Sequence, residues 1–193
     1  MVCCMYRDLP LSFFNRVIGP VPVVLISVGY LKGKRSIMPC TSVAPISLTP
    51  PYVGASIAKT RYTCKLIREL GDFVINIPTW NFTRLITELG MVSGSEIDKF
   101  EYFNLTPLKA KKVKSFRVGE AIAWIECCVE KSLSIGDRVF YISRVVAVYA
   151  REECSYDFGV KWFSEKPVLY LGDLLFATGF AEYYRCCDVV YRR

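Results

Sequence analysis

The stretch Met38–Pro78, MPCTSVAPISLTPPYVGASIAKTRYTCKLIRELGDFVINIP, contains the elements from which the fold is predicted. A segment of small and hydroxyl-bearing residues leads to the Pro50-Pro51 corner, and a β-rich run follows at Tyr52–Ile57. Across Arg61–Leu70 the apolar residues fall at helical spacing, and the glycine that comes next is a typical helix stop. Phe73–Ile77 then returns to a strand pattern. The stretch therefore predicts a strand, a short helix and a second strand in close succession.

The rest of the chain is richer in strand patterns than in helical ones. Val21–Tyr30 is an almost continuous apolar run rich in valine, which predicts a strand buried on both faces. Phe82–Leu89 has helical spacing, and the glycine after it is the predicted end of that helix. Alternation from Glu120 onward and the runs Val139–Tyr149 and Pro167–Leu171 predict three further strands. With no regular strand–helix alternation, we predict an antiparallel barrel with helices packed outside it.

Length and composition indicate one folded domain over residues 1–193. Hydrophobic residues make up 52% of the chain and charged residues 22%, which excludes wholesale disorder. The longest apolar run, Val17–Tyr30, is broken by a glycine and two prolines and is too short to span a bilayer. No small-residue cleavage pattern follows it, which disfavours a secretory signal. We therefore predict a cytoplasmic protein with no membrane segment.

The net charge of +7, from 25 basic and 18 acidic residues, raises the question of nucleic-acid binding. The densest basic cluster comprises Lys109, Lys111, Lys112 and Lys114, and only Phe116 is an aromatic neighbour. Stacking platforms for bases are therefore not evident, and a solvated loop is the preferred interpretation. We predict no nucleic-acid partner, although a positive surface also favours small anionic ligands such as flavin phosphates and dinucleotides.

The chain has nine cysteines and no histidine. Without histidine, catalytic triads of the Ser-His and Cys-His types are excluded. No two cysteines have the C-x-x-C spacing, which argues against zinc-ribbon and thioredoxin-like sites. Vicinal pairs occur at residues 3–4, 127–128 and 186–187, and in a strand such neighbours point to opposite faces. We expect free, mostly buried thiols, with the disulfides of a hyperthermophile's cytosolic protein as the open alternative.

The chain resembles the flavin reductase-like family, which includes flavoredoxins and NAD(P)H:flavin oxidoreductases. The resemblance rests on four segments in order: GPVPVVLISVG (19–29), SIMPCTSVAPISLTPPYV (36–53), ASIAKTRYTCKLIRELGDFVINIP (55–78) and LGMVSGSEIDKF (89–100). It implies an all-β fold with peripheral helices, an FMN-binding split β-barrel of the Greek-key type. The chain departs from the family pattern at Pro39, where a threonine is usual, and at Arg138, where a histidine is common.

The resemblance also implies which residues contact the flavin ring. Thr41, Ser42 and Val43 lie in the segment that is similar to the one along the isoalloxazine, where hydroxyl and main-chain N–H groups meet the ring edge. Short side chains at these positions let the backbone approach the ring closely. An ordinary Ser/Thr turn is the alternative interpretation of the same residues.

A basic turn at the start of the helix is the implied site of the FMN phosphate. The residues of this turn and its approach are Ser56, Ile57, Ala58, Lys59, Arg61, Tyr62 and Thr63. Arg61 offers a guanidinium fork and Thr63 a hydroxyl near a helix N-terminus. Ser93 and Lys99 are expected to supplement them. The alternatives are a surface arginine beside a helix cap, a core anchor at Tyr62 and a solvated lysine at residue 99.

The implied activity is hydride transfer from NADH or NADPH to bound FMN. The electrons would then pass to free flavin, a ferric chelate or a redox protein. This chemistry depends on proximity and ring stacking, so it needs no histidine as a general base. The alternative is a non-enzymatic, flavoredoxin-type electron carrier or flavin-binding protein that has no nicotinamide site.

The resemblance further implies a homodimer with FMN near the subunit interface. The mean hydropathy of +0.28 is high for a soluble monomer, and large apolar patches usually mark interfaces. The residues that we expect to supply this apolar surface are Pro50, Pro51, Tyr52, Val53, Tyr170, Phe176, Phe180, Tyr183 and Tyr184.

Overall fold

A computed structural model describes residues 7–30, 33–157 and 159–178. Its helices lie at the periphery of a mostly β structure, as predicted. The α-helices are α1 (Phe14–Val17), α2 (Tyr62–Leu70), α3 (Thr83–Met91), α4 (Lys99–Tyr102) and α5 (Trp162–Glu165). The 3-10 helices are η1 (Leu11–Phe13) and η2 (Trp80–Phe82). In the part of the chain that is described, no helix is long and apolar enough to cross a bilayer.

The strands form one seven-stranded antiparallel sheet and three small sheets. Their bounds are β1 (Val21–Pro22), β2 (Val24–Gly29), β3 (Arg35–Cys40), β4 (Val43–Leu48), β5 (Pro51–Ala58), β6 (Asp72–Ile77), β7 (Pro107–Lys109), β8 (Phe116–Val118), β9 (Ala123–Ile135), β10 (Arg138–Ala150), β11 (Ser155–Tyr156), β12 (Gly159–Val160), β13 (Leu169–Gly172) and β14 (Leu175–Ala177). The large sheet has the order β3-β2-β6-β9-β10-β5-β4. Its two outer strands, β3 and β4, are joined by only Thr41 and Ser42. The sheet must therefore curl until these strands approach each other.

The predicted elements of Met38–Pro78 are confirmed within one or two residues. Gly71 ends α2 with a left-handed φ of 74°, which a residue with a side chain adopts only with strain. Three predictions need correction. The run Val21–Tyr30 forms two strands, β1 and β2, which belong to different sheets. The helix predicted to stop at Gly90 continues to Met91, because a glycine lowers helix propensity without forcing a stop. The strand predicted at Pro167–Leu171 begins at Leu169 and is followed by β14.

Strand β2 is buried on both faces of the large sheet, as the continuous apolar pattern of its sequence predicted. Ile26 and Val28 join the first core, into which α2 packs Leu66 and Ile67. Leu25, on the opposite face of β2, joins a second core that covers the outer side of the sheet. The helix α3 packs into that second core. One face of β2 thus positions α2 and the other positions α3.

The described cysteines are free, as expected. These residues are Cys40, Cys64, Cys127, Cys128 and Cys154. The vicinal pair in β9 has one fully buried member, Cys127, and one half-buried member, Cys128, because neighbours in a strand point to opposite faces. The other two vicinal pairs lie outside the described residues.

The apolar surface lies only in part where it was predicted. Pro50 and Pro51 are exposed, and Tyr52 is half-buried. Val53 is buried in the first core, and Tyr170 and Phe176 pack on each other with ring centroids 5.5 Å apart. These side chains are covered because they complete the two cores of the same chain. Phe180, Tyr183 and Tyr184 lie outside the described residues. Large apolar side chains are instead exposed along β4 and at one end of β9: Ile46, Leu48, Leu133 and Ile135.

Candidate functional site

A cleft of about 300 Å³ opens between the amino end of α2 and the carboxyl end of α3. Strands β3 and β5 form its floor, and the segment that links α3 to α4 forms its far wall. The residues that line it are Ser36, Met38, Ala58, Thr60, Arg61, Tyr62, Thr63, Val92, Ser93, Gly94 and Lys99. No carboxylate is among these lining residues. The cleft is therefore suited to an anion.

The local sequence directs the start of α2 into this cleft. Arg61 is the N-cap residue, with an extended backbone, and its N–H donates to the carbonyl of Ala58 at 3.0 Å. The N–H of Cys64 donates to the carbonyl of Arg61 at 2.9 Å, whereas those of Tyr62 and Thr63 have no acceptor within the helix, and the helix dipole adds a partial positive charge there. Thr63, in that first turn, is buried, and its Oγ1 lies 2.9 Å from Oγ of Ser36. This contact ties the helix start to β3.

Two cations, one from the start of α2 and one from α4, converge in the cleft. Nζ of Lys99 donates to the carbonyl of Leu89 at 2.6 Å, and a guanidinium nitrogen of Arg61 donates to the carbonyl of Gly90 at 3.3 Å. Both acceptors belong to the carboxyl end of α3, where cations interact favourably with the helix dipole. Carbonyls are neutral, so they orient the two cations without cancelling their charge.

Lys99 is buried, with only 4% of its surface exposed. Burial, reinforced by repulsion from the nearby Arg61, lowers the pKa of Lys99 to about 8. The neighbouring carboxylate of Asp98 does not offset this effect, because it forms an ion pair with Arg35 at 2.7 Å and accepts the N–H of Phe100 at 2.9 Å. An anion in the cleft would stabilise the charged form of Lys99.

Gly94 allows the wall of the cleft to approach β3 closely. A Cβ at this position would lie 2.7 Å from Oγ of Ser36 and 3.2 Å from a ring carbon of Tyr62. The first distance is shorter than real Cβ contacts, so a side chain here would push the wall away from the strand. The glycine therefore sets the width of the cleft beside Tyr62.

Half of the predicted site residues line this one cleft. They are Ala58, Arg61, Tyr62, Thr63, Ser93 and Lys99. The alternative of a solvated lysine at residue 99 is wrong, because that side chain is buried. Tyr62 fits both interpretations, since its side chain lines the cleft and also packs against the first core.

The other predicted residues lie outside the cleft. The side chain of Ile57 is fully buried in the first core, so only its main chain is available to a ligand. Lys59 is drawn to the turn between β9 and β10, where its Nζ donates to the carbonyl of Gly136 at 2.6 Å. Thr41 and Ser42 form the link between β3 and β4, and Val43 begins β4.

Ser56 connects the cleft with the predicted ring segment. It lies on the same side of β5 as Ala58, two residues away, and its N–H donates to the carbonyl of Ser42 at 2.9 Å. The carbonyl of Ser56 accepts a hydrogen bond from Arg138 at 3.0 Å. The link containing Thr41 and Ser42 is thus attached to the strand that ends at the cleft.

Five lining residues were not predicted: Ser36, Met38, Thr60, Val92 and Gly94. Ser36 and Met38 lie two residues apart on β3, so their side chains point to the same face. This alternation of every second residue was the sequence signal that could have revealed the strand. Arg35, Pro39 and the polar residues around them hid the strand. The close approach of Gly94 depends on β3 and on α2, which are distant in sequence, so no local pattern could reveal it.

Comparison with known proteins gives relatives in sequence and in structure. A protein of Archaeoglobus fulgidus is 34% identical over 115 residues, which are 60% of this chain and 65% of that protein. The flavoredoxin of Methanosarcina acetivorans superposes with a TM-score of 0.84 at 23% identity, covering 96% of this chain and 97% of its own. The FMN-binding protein of Thermus thermophilus, solved with 1-cyclohex-2-enone, gives 0.78 at 23% identity, covering 94% and 99%.

These likenesses confirm the all-β split barrel with peripheral helices. The sequence itself matches the family model described as "Flavin reductase like domain" over residues 17–173, which includes both strands of the cleft floor and the whole of α2 and α3. The chain therefore belongs to the flavin reductase-like family.

Proposed function

We propose that this protein binds FMN, with the phosphate in the cleft at the start of α2. The observation that carries the proposal is the pair of cations, Arg61 and Lys99, that converge on the carboxyl end of α3 in a cleft whose lining includes no carboxylate. Membership of the family supports the choice of a flavin, and the FMN-binding protein of Thermus thermophilus has the same fold.

The donor set of the cleft fits a phosphate monoester. Such a group carries up to two negative charges and three terminal oxygens near neutral pH. Arg61 would supply a planar fork, Lys99 a point charge and the first turn of α2 its unpaired N–H groups. Ser93 and Thr63 add hydroxyls beside them. The phosphate would face the positive end of the α2 dipole, while the two cations face the negative end of the α3 dipole, so each helix end would meet the opposite charge.

The ring of FMN would extend from the cleft along β5 towards Thr41, Ser42 and Val43. Ser56 and its bond to the carbonyl of Ser42 lie along this path. Hydroxyl and main-chain groups of the link would orient the edge of the ring. Bound FMN supplies hydride acceptance and electron transfer, and the protein supplies its position and its electrostatic surroundings.

We further propose that the protein is an oxidoreductase that takes hydride from NADH or NADPH. The acceptor would be free flavin, a ferric chelate or a redox protein. The described part of the chain has no histidine, and this reaction requires none. Anaerobic mixing of the FMN-loaded protein with each nicotinamide tests the activity, because reduction bleaches the visible absorption of the flavin. We expect bleaching within seconds with one of the two donors.

The second candidate is an electron carrier without a nicotinamide site, and the likeness to a flavoredoxin favours it. The same anaerobic experiment separates the two functions. A carrier would keep its oxidised spectrum with both NADH and NADPH and would bleach only with a chemical reductant such as dithionite. Flavin uptake by itself is common to both candidates.

A further inference from the structure

The densest positive charge of the described chain lies in one hairpin beside the cleft-forming elements. Strands β7 and β8 pair antiparallel, and residues 110–115 join them. We call the whole unit, residues 107–118, the basic hairpin. Its cations are Lys109, Lys111, Lys112, Lys114 and Arg117. The four lysines are exposed to solvent.

Buried carboxylates fix the backbone of the basic hairpin. Glu126 is fully buried and accepts the main-chain N–H groups of residues 111–113 at 2.6, 2.6 and 3.2 Å. Asp72 is also buried and accepts those of residues 114–115 at 3.1 and 3.0 Å. Burial acts to raise the pKa of Glu126, but these bonds and one from Tyr149 outweigh it and lower the pKa below its ordinary value. The loop is therefore held at its backbone while its lysine side chains face outward.

Two aromatic rings hold two of the cations in place. Nζ of Lys111 lies 4.1 Å from the ring centroid of Tyr149, and the guanidinium of Arg117 lies 4.5 Å from that of Trp124. The hydroxyl of Tyr149 donates to Glu126 at 2.6 Å, which joins these contacts to the buried carboxylate. Because the cations occupy these ring faces, the rings do not offer a stacking platform to unpaired bases.

The charge of the basic hairpin is not balanced at the surface. Within the described ranges, none of its five cations forms an ion pair with a carboxylate. The two carboxylates that contact its backbone, those of Glu126 and Asp72, are buried and engaged by main-chain N–H groups. A rigid surface with excess positive charge attracts and orients an acidic partner with little loss of conformational entropy.

The basic hairpin is also connected to the cleft through the second core. Phe116, the first residue of β8, packs edge-to-face on Phe100 with ring centroids 4.6 Å apart. Phe100 is the immediate neighbour of Lys99 in α4. Two packed rings therefore link the hairpin to the phosphate end of the candidate flavin site.

We propose that the basic hairpin is the docking surface for a small acidic redox protein. That the partner is a redox protein rests on the proposed flavin function, whereas the docking rests on the charge and rigidity of the hairpin. An acidic protein fits better than a single-stranded nucleic acid, because the hairpin presents charge without free aromatic faces.

A plant-type [2Fe–2S] ferredoxin is a suitable acidic probe, with binding measured by calorimetry at low and at high salt. The double variant Lys112→Ser/Lys114→Ser removes two exposed cations and keeps the main-chain N–H groups that bind Asp72 and Glu126. Lys65→Ser/Lys131→Ser is the matched control, since it removes two exposed cations elsewhere. We expect the hairpin variant to bind ferredoxin about tenfold more weakly at low salt and the control to bind like the wild type.

Equal weakening by the two variants would overturn the proposal, because binding would then follow net charge alone. Tighter hairpin-dependent binding of duplex DNA than of ferredoxin would overturn the choice of partner. FMN uptake is measured separately on the same samples. A protein that binds ferredoxin through the hairpin but takes up no flavin would reject the proposed function and leave the docking surface in place.

Discussion

At the scale of single residues, Arg61 and Lys99 determine what the cleft can hold. Each is bonded to a carbonyl at the end of α3, so each is oriented before any ligand arrives. The sequence identified both residues through the pattern around them. It did not reveal that Lys99 is buried, because burial arises from packing of α4 against the second core.

The variant Arg61→Ala should weaken FMN binding far more than riboflavin binding, because riboflavin lacks the phosphate. Losing a charge-assisted hydrogen bond costs roughly 1.5–3 kcal/mol, or about 10- to 150-fold in affinity. Fluorescence quenching of the flavin measures both affinities. Arg68→Ala, which removes an exposed cation from the last turn of α2, is the control. Equal weakening of both ligands would show that Arg61 acts through folding.

The affinity for FMN should fall as the pH rises through about 8, since Lys99 in the free protein loses its proton there. Phosphate binding stabilises the protonated lysine, so binding takes up a proton above this pH, and affinity declines by up to about tenfold per pH unit. Titrations between pH 6.5 and 9.5 test this. The decline should be absent in Lys99→Met and with riboflavin. A wild-type affinity that is flat over this range would contradict the assignment.

At the scale of elements, the site depends on how closely β3, the start of α2 and the segment 92–94 approach one another. The sequence predicted α2 and β5 because their patterns are local. It missed β3, whose alternation is obscured by polar residues and Pro39, and it could not predict the contact of Gly94 with that strand. Ile57 was also predicted to contact the ligand, but its side chain points into the core while that of the next residue, Ala58, lines the cleft. Neighbouring residues of a strand point to opposite faces, and the sequence alone did not show which face the ligand would meet.

The variant Gly94→Ala should destabilise the fold by about 1–3 kcal/mol, because its Cβ would clash with Oγ of Ser36. Ser36→Ala in the same chain removes the clashing oxygen, and the remaining contacts are a ring carbon of Tyr62 at 3.2 Å and Cβ of residue 36 at 3.4 Å. We expect the double variant to recover part of the loss relative to the sum of the two single variants. Urea denaturation of all four proteins measures this coupling. Strict additivity would exclude the close approach.

At the scale of the whole molecule, large apolar side chains are exposed along the outer strand β4 of the large sheet. On this strand Leu48 is 84% exposed and Ile46 is 47% exposed, whereas Leu133 and Ile135 lie on β9 towards the other end of β5. Such a patch on an edge strand usually marks an interface. The overall composition predicted an apolar surface, but which residues form it depends on the strand pairing.

We therefore expect a homodimer, with a mass about twice the 22.0 kDa of the chain in light scattering. A charge on the patch, as in Leu48→Asp, should shift the equilibrium to the monomer, because it would place an unpaired carboxylate in the interface. Leu11→Asp is the control, since Leu11 is equally exposed but lies on η1. Dissociation by Leu11→Asp and not by Leu48→Asp would assign the interface to another surface.

The central claim is that the cleft between α2 and α3 holds the phosphate of FMN. Equilibrium titration of the purified chain with FMN, and in parallel with riboflavin, tests it most directly. The account predicts one FMN per chain, a flavin spectrum that stays with the protein through gel filtration, and an affinity for riboflavin at least tenfold lower. A protein that takes up no flavin from excess FMN, or that binds the two flavins equally well, would contradict it.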